Sequence, residues 1–489
     1  MKLLELLQNV SYDLVKGNLE LEINEVQYDS RKVQKGDVYI AREGFPVDTH
    51  EYIDAAIENG AIAIVVNKNV EIGKDVTVIK AEDSREALCI MASNFYGNPH
   101  KNFKLIGVTG TNGKTTITFI MKAILEAANY KVGVIGTVAC FIGNKKLKTN
   151  NTTPDATDLH KLFYEMSNAG VDYCIMEVSS HALDLKRVHG LEFSTGIFTN
   201  LTQDHLDYHE TFENYFEAKM KLFRMSKNCI VNIDSPYGEK VVSRILEDKS
   251  SNRNIIKYSI DKQSHIKADS VHLGSRKSSF DLTKDNKAYT FHVNVPGRYN
   301  VYNALACIGA AFVENIDMNK VEEGLNKIQI PGRCELVTRD YNLGFDVIVD
   351  YAHTPDALEN ILETTKEFTS GRLISIFGCG GNRDASKRHI MGRIGSEISD
   401  IAIITSDNPR FEEPRLIIED IIKGINKDNY KIIENRRDAI KEALRIAKKG
   451  DSIVIAGKGH EDYQIIKGKK YDFDERVIVK ELIKELFGC

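Results

Sequence analysis

IGVTGTNGKTT, residues 106–116, joins an apolar strand to a helix through a loop of glycine, lysine and threonine. The flanking FKLIGVTG and TTITFIMKAILEAAN have the patterns of a buried strand and an amphipathic helix. This setting predicts a phosphate-binding loop, in which glycines expose backbone N–H groups and the helix start adds positive potential. Lys114 would contact the β- and γ-phosphates, and Thr115 would bind Mg²⁺. Because the glycines at 107, 110 and 113 depart from the common G-x4-G-K-T spacing, an ordinary glycine turn is the alternative.

The sequence on both sides of this loop alternates apolar strands with amphipathic helices, which predicts an α/β protein with mostly parallel sheets. In the last third, RLISIFGCGG, DIAIITSDNP and DSIVIAGKGH are apolar strands that end in polar loops. The pattern breaks at FYGNPHKNFKLIGVTG and at IQIPGRCELV, so we predict three domains at 1–100, 101–331 and 332–489. We expect a P-loop-type sheet in the central domain and a Rossmann-like fold in the C-terminal domain.

The composition of the 489-residue chain argues against several classes of protein. Its net charge of −5 gives no general attraction to nucleic acid or to anionic membranes, so we expect neither as a partner. The eight cysteines have no C-x-x-C pair and no metal-type spacing, which favours reduced thiols. The N-terminal MKLLELLQNVSYDL is unlike a signal peptide, and no apolar run has the length of a membrane span. We therefore predict a cytoplasmic protein, and we expect a monomer.

Two polar segments contain candidate metal ligands. VDYCIMEVSSHALDLKRV has a strand at 171–176 that ends in Glu177, where a carboxylate beside a phosphate loop could hold Mg²⁺. A solvated strand-end glutamate is the alternative. NLTQDHLDYH brings Asp204, His205, Asp207 and His209 into one short turn. One of them is a candidate ligand or base, and histidines that only cap the turn are the alternative.

Lys219 occupies an unusual position in the helix FENYFEAKMKLF. It lies four residues from both Tyr215 and Phe223 on the apolar stripe, whereas Lys221 points away. Such a lysine either extends outward to water or has its pKa lowered by burial, and the pattern alone favours outward extension. A neutral buried amine can react with CO2 to form a carbamate, an anion able to bind a second Mg²⁺.

Eight motifs in chain order resemble those of the Mur ligases, the cytoplasmic ATP-dependent amide-bond synthetases of peptidoglycan assembly. They are GTNGKTT, NNTTPD, MEVSSHAL, NLTQDHLDYH, EAKMKLF, PGRYNVYNALA, PGRCE and DYAHTPD, and the similarity runs from about residue 25 to about residue 465. DNPR at 407–410, with GCGGNRD and AGKGHEDYQ, is similar to the family members that add meso-2,6-diaminopimelate to UDP-N-acetylmuramoyl-L-alanyl-D-glutamate. The resemblance implies an ADP-forming acid–amino-acid ligase that works through an acyl phosphate, with a first domain that binds the UDP substrate.

The resemblance also implies functional roles for residues within these motifs. The implied ATP-binding residues are Gly110, Thr111, Asn112, Gly113, Lys114, Thr115, Thr116, Asn300, Asn303, Arg333, Asp350 and His353. The implied metal ligands are Thr115, Glu177, His205 and a carbamylated Lys219, and the implied catalytic residues are Lys114, Glu177, His205 and Lys219. The implied contacts to the UDP-muramoyl dipeptide are Ser30, Asn151, Thr152, Thr153, Ser179 and Arg187. The cofactor would be Mg²⁺, with ATP as co-substrate and a CO2-derived carbamate on Lys219.

The charges of meso-diaminopimelate indicate how its binding site would be built. The far end of the molecule carries a second carboxylate and ammonium. Arg383 and Arg410 lie on two strand-end loops and could bind that carboxylate, and Glu461 on a third loop could bind the ammonium. For DNPR alone, an Asn-Pro turn before a helix is the alternative. The predicted diaminopimelate-binding residues are Arg383, Asp407, Asn408, Pro409, Arg410, Gly457 and Glu461.

Four other functions need to be considered at this point. A lysine-adding Mur ligase or a folylpolyglutamate synthase-like ligase shares the phosphate loop and the buried lysine, although the latter gives no reason for DNPR. A P-loop regulatory ATPase would hydrolyse nucleotide without any amino acid and would tolerate Lys219→Ala. A nucleic-acid motor is disfavoured by the acidic net charge and by the lack of basic–aromatic runs.

Overall fold

The strands of the chain form three main sheets, one for each predicted domain. The structure, a computed structural model, describes residues 1–44, 47–147, 151–248, 252–274, 277–284, 287–328 and 330–488. Asn150, the first residue of the motif NNTTPD, lies outside the described residues. The sheets are mixed but mostly parallel, which confirms the α/β class and the three-domain organisation. The boundaries near 100 and 331 stay predictions.

The first sheet has the order β1-β5-β4-β3-β2 and is antiparallel only between β1 and β5. The central strands β3 and β4 are buried along their whole length, as expected where both faces of a sheet are covered. The strands are β1 Tyr12–Lys16, β2 Val26–Gln27, β3 Val38–Ile40, β4 Ala63–Val66 and β5 Thr77–Ala81. The helices are α1 Leu3–Leu6, α2 Ile53–Glu58 and α3 Ser84–Phe95, with 3₁₀ turns at Ser30–Lys32, Thr49–Tyr52 and Pro99–Asn102.

The central sheet has the order β14-β13-β12-β11-β6-β10-β7-β8-β9 and is parallel from β14 to β7. Its strands are β6 Lys104–Thr109, β7 Val132–Ile135, β8 Cys140–Ile142, β9 Lys145–Leu147, β10 Tyr173–Glu177, β11 Phe193–Phe198, β12 Ser226–Asn232, β13 Asn254–Ser259 and β14 Ile266–Lys267. An antiparallel sheet of β15 Asp269–Leu273, β16 Ser278–Lys284 and β17 Lys287–Val293 follows.

Helices cover both faces of the central sheet, because separate apolar clusters lie on each side. One face packs against the helix that follows the phosphate loop and against the last two helices of this domain. The helices are α4 Lys114–Ala127, α5 Ala156–Asn168, α6 Ser180–Asp184, α7 Leu206–His209, α8 Phe212–Arg224, α9 Gly238–Glu247, α10 Arg298–Val313 and α11 Met318–Lys327. The strand β6 and the helix α4 are therefore the predicted strand and helix on either side of the loop.

The C-terminal sheet has the order β18-β19-β23-β20-β21-β22, with only β18 antiparallel. Its strands are β18 Glu335–Leu336, β19 Asp346–Asp350, β20 Leu373–Phe377, β21 Ile401–Ile404, β22 Tyr430–Ile432 and β23 Ser452–Ala456, followed by the hairpin β24 Tyr463–Ile466 and β25 Lys469–Asp472. The helices are α12 Pro355–Phe368, α13 Arg388–Ile398, α14 Pro414–Ile422, α15 Arg436–Ile446 and α16 Glu475–Phe487. Helices α12–α14 pack on one face and α15 and α16 on the other, a Rossmann-like arrangement.

The structure also bears on membrane-spanning helices and on the state of the cysteines. Among the described residues, no helix has both the length and the apolar character needed to cross a membrane. The seven cysteines that the structure describes are all buried free thiols.

Candidate active site

The loop between β6 and α4 has the geometry of a phosphate-binding turn. Gly110 and Gly113 adopt φ values of 151° and 88°, a region that favours glycine. A Cβ atom at Gly110 would lie only 1.8 Å from Oγ1 of Thr199, so a larger side chain would collide there. The Lys114 Nζ donates to the carbonyl oxygens of Gly110 and Thr111 at 2.8 and 2.9 Å. The lysine amine is therefore held inside the loop, beside the start of α4.

Glu177, at the end of β10, is buried and is not the solvated glutamate that the sequence left as an alternative. Its Oε1 accepts from the Thr115 hydroxyl and from the Thr137 N–H, both at 2.9 Å. The Thr137 hydroxyl donates to the other carboxylate oxygen at 3.0 Å, and Arg333 donates to the Thr115 hydroxyl at 3.3 Å. The carboxylate is thus held directly against the first turn of α4.

The oxygens of Thr115 and Glu177 fit Mg²⁺, although they would supply only part of its ligand shell. Mg²⁺ commonly binds through one or two carboxylates and substrate phosphates, and it retains several waters. Among the described residues, no group of three or more His, Cys, Asp or Glu side chains could hold a metal ion. Substrate and water would therefore have to complete any Mg²⁺ site here.

Lys219 is only 2% exposed, so the outward extension that the pattern favoured is wrong. Its Nζ lies 4.3 Å from the centroid of the Tyr215 ring. Within the part of the chain that the structure describes, the amine has no hydrogen bond or ion pair. Burial, and then the charge of Lys114, hold the pKa of Lys219 well below its usual value. The prediction failed because helical spacing identifies the stripe but not how deeply other elements cover it.

Three histidines meet where the turn after β11 approaches α6. The His205 and His181 ring centroids are 4.8 Å apart, and those of His181 and His209 are 5.5 Å apart. Asp204 Oδ2 lies 3.4 Å from His205 Nε2. Burial lowers the pKa of His205, so its ring is neutral near pH 7 and can donate a lone pair to a metal. His181 escaped the sequence analysis because SSHAL has the pattern of an ordinary helix start.

A cavity of about 110 Å³ opens beside the phosphate loop, between the central and C-terminal domains. The Asn112 side chain crosses the gap and donates to an Asp356 oxygen at the start of α12. Tyr258, Tyr299 and Tyr302 add aromatic surface that the sequence analysis missed. The predicted ATP-binding residues that line the cavity are Asn112, Gly113, Thr116, Asn300, Asn303, Arg333 and Asp350. These residues could therefore surround one nucleotide.

A second cavity, of about 480 Å³, lies between the turn at 204–207 and the loops that follow β20, β21 and β23. We call it the amino-acid cavity. The three strands are adjacent and parallel, so the loops at their carboxyl ends converge. The predicted residues that line it are Asn151, Thr152, His205, His353, Arg383, Asp407, Asn408, Arg410, Gly457 and Glu461. His353, predicted for ATP, thus lies with the amino-acid loops, and burial lowers its pKa to about 4.

Hydrogen bonds join two of the convergent loops. The Asn408 amide donates to Glu461 Oε2 at 2.9 Å, and the fully buried Lys458 donates to both side chains at 3.2 Å. The Pro409 carbonyl oxygen packs closely on Gly381, since a Cβ atom at that glycine would lie only 2.0 Å from it. One Glu461 oxygen is therefore already occupied inside the protein, so an ammonium ligand would have to share this carboxylate with Lys458.

Arg383 and Arg410 place two guanidinium groups at the same cavity. Arg410 Nη1 donates to the carbonyl of Gly381 at 2.8 Å, which anchors the side chain across two loops. Burial, and then the neighbouring Arg383 charge, lower the pKa of Arg410. Two such cations repel each other, and a carboxylate between them would relieve that repulsion.

Arg436 holds the start of two amino-acid loops and was missed by the sequence analysis. Its side chain is fully buried and donates to Glu475 at 2.6 Å and to the Ala456 carbonyl at 2.7 Å. A longer bond of 3.4 Å reaches the Ser406 carbonyl. Ser406 and Ala456 come directly before the predicted residues Asp407 and Gly457. No sequence motif marks this arginine, because its role depends on two loops that are distant in the chain.

The residues predicted to contact the muramoyl dipeptide extend from the amino-acid cavity toward the first domain. Thr153 donates to the Glu177 carbonyl at 2.9 Å and lies 3.3 Å from the Ser179 hydroxyl. Arg187 donates to the Thr153 carbonyl at 3.0 Å, and its Nε is 3.6 Å from Asp155. These bonds connect the dipeptide residues to the phosphate loop side of the site.

Ser30 lies apart from those residues, in a cavity of about 390 Å³ on the first domain. Arg42 lines the same cavity and forms an ion pair with Asp155 at 2.9 Å. Because Asp155 also lies near Arg187, a single acid links the first domain's cavity to the dipeptide residues. The sequence analysis did not find Arg42 or Asp155.

Comparison with known proteins agrees with this arrangement. Three family models match the chain, described as "Mur ligase family, catalytic domain" at 22–96, "Mur ligase middle domain" at 108–311 and "Mur ligase, glutamate ligase domain" at 332–459. A relative from Clostridium botulinum, named "UDP-N-acetylmuramoyl-L-alanyl-D-glutamate--2,6-diaminopimelate ligase", is 56% identical over 98% of this chain and 99% of its own. A Clostridium tetani protein of the same name is 54% identical over the full length of both chains.

A solved structure gives the same result for the fold. It is titled "Structure of UDP-N-acetylmuramoyl-L-alanyl-D-glutamate--2,6-diaminopimelate ligase" and is 30% identical, with a TM-score of 0.71. The similarity covers 99% of each chain. From its sequence, its fold and the arrangement of its loops, the chain belongs to the Mur ligase family.

Proposed function

We propose that this protein joins meso-2,6-diaminopimelate to UDP-N-acetylmuramoyl-L-alanyl-D-glutamate at the expense of ATP, in peptidoglycan precursor synthesis. The observation that carries the proposal is the amino-acid cavity, whose lining combines Asn151, Thr152 and His205 with the loops of Arg383, Arg410 and Glu461. The names of the full-length relatives support the same substrate pair. ATP and a UDP-linked precursor are cytoplasmic metabolites, so we expect the protein to act in the cytoplasm. We also expect it to be a monomer.

The first step activates the D-glutamate γ-carboxylate, which is a poor electrophile. A carboxylate oxygen attacks the γ-phosphorus of ATP, the bond from that phosphorus to the bridging oxygen breaks, and ADP leaves. Two anions approach each other in this step, so cations must neutralise them. Lys114 is held in the phosphate loop and would move from the loop carbonyls to the phosphates. Arg333 contacts Thr115 at the same loop and would add a second positive charge.

Two groups that the family implies fit the residues present. Thr115 and Glu177 are paired oxygen donors beside the phosphate loop and would hold one Mg²⁺. His205 has a neutral ring, and the buried amine of Lys219 has no hydrogen bond or ion pair among the described residues, which suits a carbamate that supports a second ion. Bound Mg²⁺ would supply positive charge to the phosphates and to the developing acyl phosphate.

The second step forms the amide bond. The amine of diaminopimelate attacks the acyl carbonyl carbon, the carbon–oxygen bond to phosphate breaks, and the amine releases a proton. Arg383 and Arg410 would bind the far carboxylate, with the Glu461 carboxylate beside the far ammonium. Lysine lacks that carboxylate and would leave a desolvated arginine unpaired, at a cost of about 1–3 kcal/mol.

An amino-acid panel tests the proposal. Purified protein is given ATP, Mg²⁺ and the UDP-muramoyl dipeptide, and phosphate release is measured with meso-diaminopimelate, lysine or glutamate. We expect diaminopimelate to be preferred over lysine by about 10- to 100-fold in kcat/KM, with no release when the dipeptide is omitted. Lys114→Ala serves as the inactive control.

Other outcomes of the panel would contradict the proposal. Preference for lysine would indicate a lysine-adding ligase, and preference for glutamate would favour a folylpolyglutamate synthase-like enzyme. Phosphate release that needs no amino acid would indicate a regulatory ATPase.

A further inference from the structure

Lys387 is a buried lysine that lines the amino-acid cavity and has no hydrogen-bonding partner among the described residues. Only 8% of the residue is exposed, and what remains accessible belongs to the cavity wall. Its amine forms no hydrogen bond, and no ion pair within 4.0 Å, with any residue in the described ranges. The Asp204 carboxylate across the cavity is a charge that acts on it, and the Lys387 charge helps to lower the pKa of that carboxylate. Because a buried charge is costly unless it is paired, an unpaired lysine at a cavity wall indicates the binding place of an anion.

The neighbouring Arg388 shows what a purely structural cation looks like at this position. Its guanidinium donates to both carboxylate oxygens of Glu412 at 2.9 and 3.0 Å and to Asp420 at 3.1 Å. The protein itself therefore neutralises Arg388. Lys387, one residue earlier at the N-terminal end of the 11-residue helix α13, receives no such carboxylate within 4.0 Å among the described residues.

A contact between domains holds the residue before Lys387 against the central domain, and the Lys387 charge acts on Asp204 of that domain. The Gln203 side chain of the central domain donates to the Ser386 hydroxyl at 3.3 Å. Gln203 directly precedes Asp204 and His205, and Ser386 directly precedes Lys387. The far carboxylate of an amino acid, by contrast, has Arg383 and Arg410 available on the loops after β20 and β21. Lys387 is therefore the cation left for a different anion, near the bond that forms.

We infer that Lys387 is a catalytic residue that binds the phosphoryl group of the acyl phosphate. This inference rests on the proposed ligase function. When the γ-carboxylate oxygen bonds to the γ-phosphorus and ADP leaves, the new acyl phosphate carries negative charge between the two domains. Lys114 neutralises it from the central domain, and Lys387 neutralises it from the C-terminal domain. When the amine then displaces phosphate, Lys387 stabilises the leaving anion, and the amine proton passes to solvent.

The test compares Lys387→Met and Lys387→Arg with Lys449→Met, a control at an exposed lysine of the same domain. We expect Lys387→Met to lower kcat about 100-fold or more, because one preorganised cation is lost from the transition state. KM for diaminopimelate should change by less than about threefold, since its far end binds elsewhere. Lys387→Arg should recover part of kcat. Rapid-quench measurement should show that Lys387→Met forms ADP more slowly than the wild type in the first turnover.

Several results would overturn the inference. An increase in KM for diaminopimelate with unchanged kcat would assign Lys387 to amino-acid binding, and unchanged kinetics would remove it from the reaction. If Lys387→Met does not fold, as judged by thermal melting, Lys387→Gln, which also removes the charge, is measured instead: wild-type kcat would refute the contact, and a reduced kcat at wild-type KM would support it. Wild-type protein in the same assay separates the two proposals, because a wild type that forms no amide refutes the ligase function itself.

Discussion

The buried pair of Arg436 and Glu475 allows a sharp test of how the amino-acid loops are held. Neither side chain is exposed, and Glu475 is the only carboxylate bonded to this guanidinium among the described residues. Glu475→Gln keeps the shape and one acceptor oxygen but removes the negative charge. Breaking a buried ion pair by removing one partner's charge typically costs about 3–5 kcal/mol, because the other charge stays buried and uncompensated.

That cost converts into a measurable change in melting. For a domain of about 150 residues, 1 kcal/mol corresponds to about 2–4 °C, so Glu475→Gln should lower the melting temperature of the C-terminal domain by about 6–20 °C. Differential scanning calorimetry with and without ATP measures the shift. Because Arg436 also bonds the carbonyls of Ser406 and Ala456, KM for diaminopimelate should rise in the folded variant.

The adjacent Arg437 provides the matched control. It pairs with Glu481 at 2.8 Å, but both side chains are about half exposed, so Arg437→Gln should change stability by less than about 1 kcal/mol. If Glu475→Gln melts within about 2 °C of wild type, the buried charge is not stabilised by this pair. The proposed support of the loops would then be refuted.

Three further outcomes follow from particular side chains. Lys219→Ala should lower activity at least about 100-fold, with partial recovery by short carboxylic acids that replace the carbamate. Lys221→Ala is the control, and a fully active Lys219→Ala would exclude the lysine from the reaction. Arg410→Lys should raise KM for diaminopimelate about 10-fold, because the point charge of an ammonium replaces the planar guanidinium group. The same change at the exposed Arg415 should leave KM unaltered. An unchanged KM for Arg410→Lys would argue against carboxylate binding. Burial lowers the pKa of His160 to about 3 from 6.5, so its contribution to stability is complete above pH 6.5 and is lost as pH falls toward 3, by at most about 1.4 kcal/mol per pH unit. His160→Gln should flatten the pH dependence of urea unfolding, and an unchanged slope would refute this.

Local pattern was enough to predict the elements that carry the site. The apolar run before Gly110 and the helical spacing after Lys114 depend on neighbouring residues only, and the structure has β6 and α4 at these positions. The strand ending at Glu177 and the three strands that lead to the amino-acid loops were found in the same way. Their parallel arrangement then predicts that the loops meet at one edge of a sheet.

By itself, then, the sequence determined the α/β class, the phosphate loop, the family motifs and the loops that carry Arg383, Arg410 and Glu461. Only the tertiary structure decided that Lys219 is buried, that Lys387 has no hydrogen bond among the described residues, and that Arg436 joins two distant loops. The physical reason is that burial and charge pairing depend on residues brought together from different elements, and neither periodicity nor spacing along one segment contains that information.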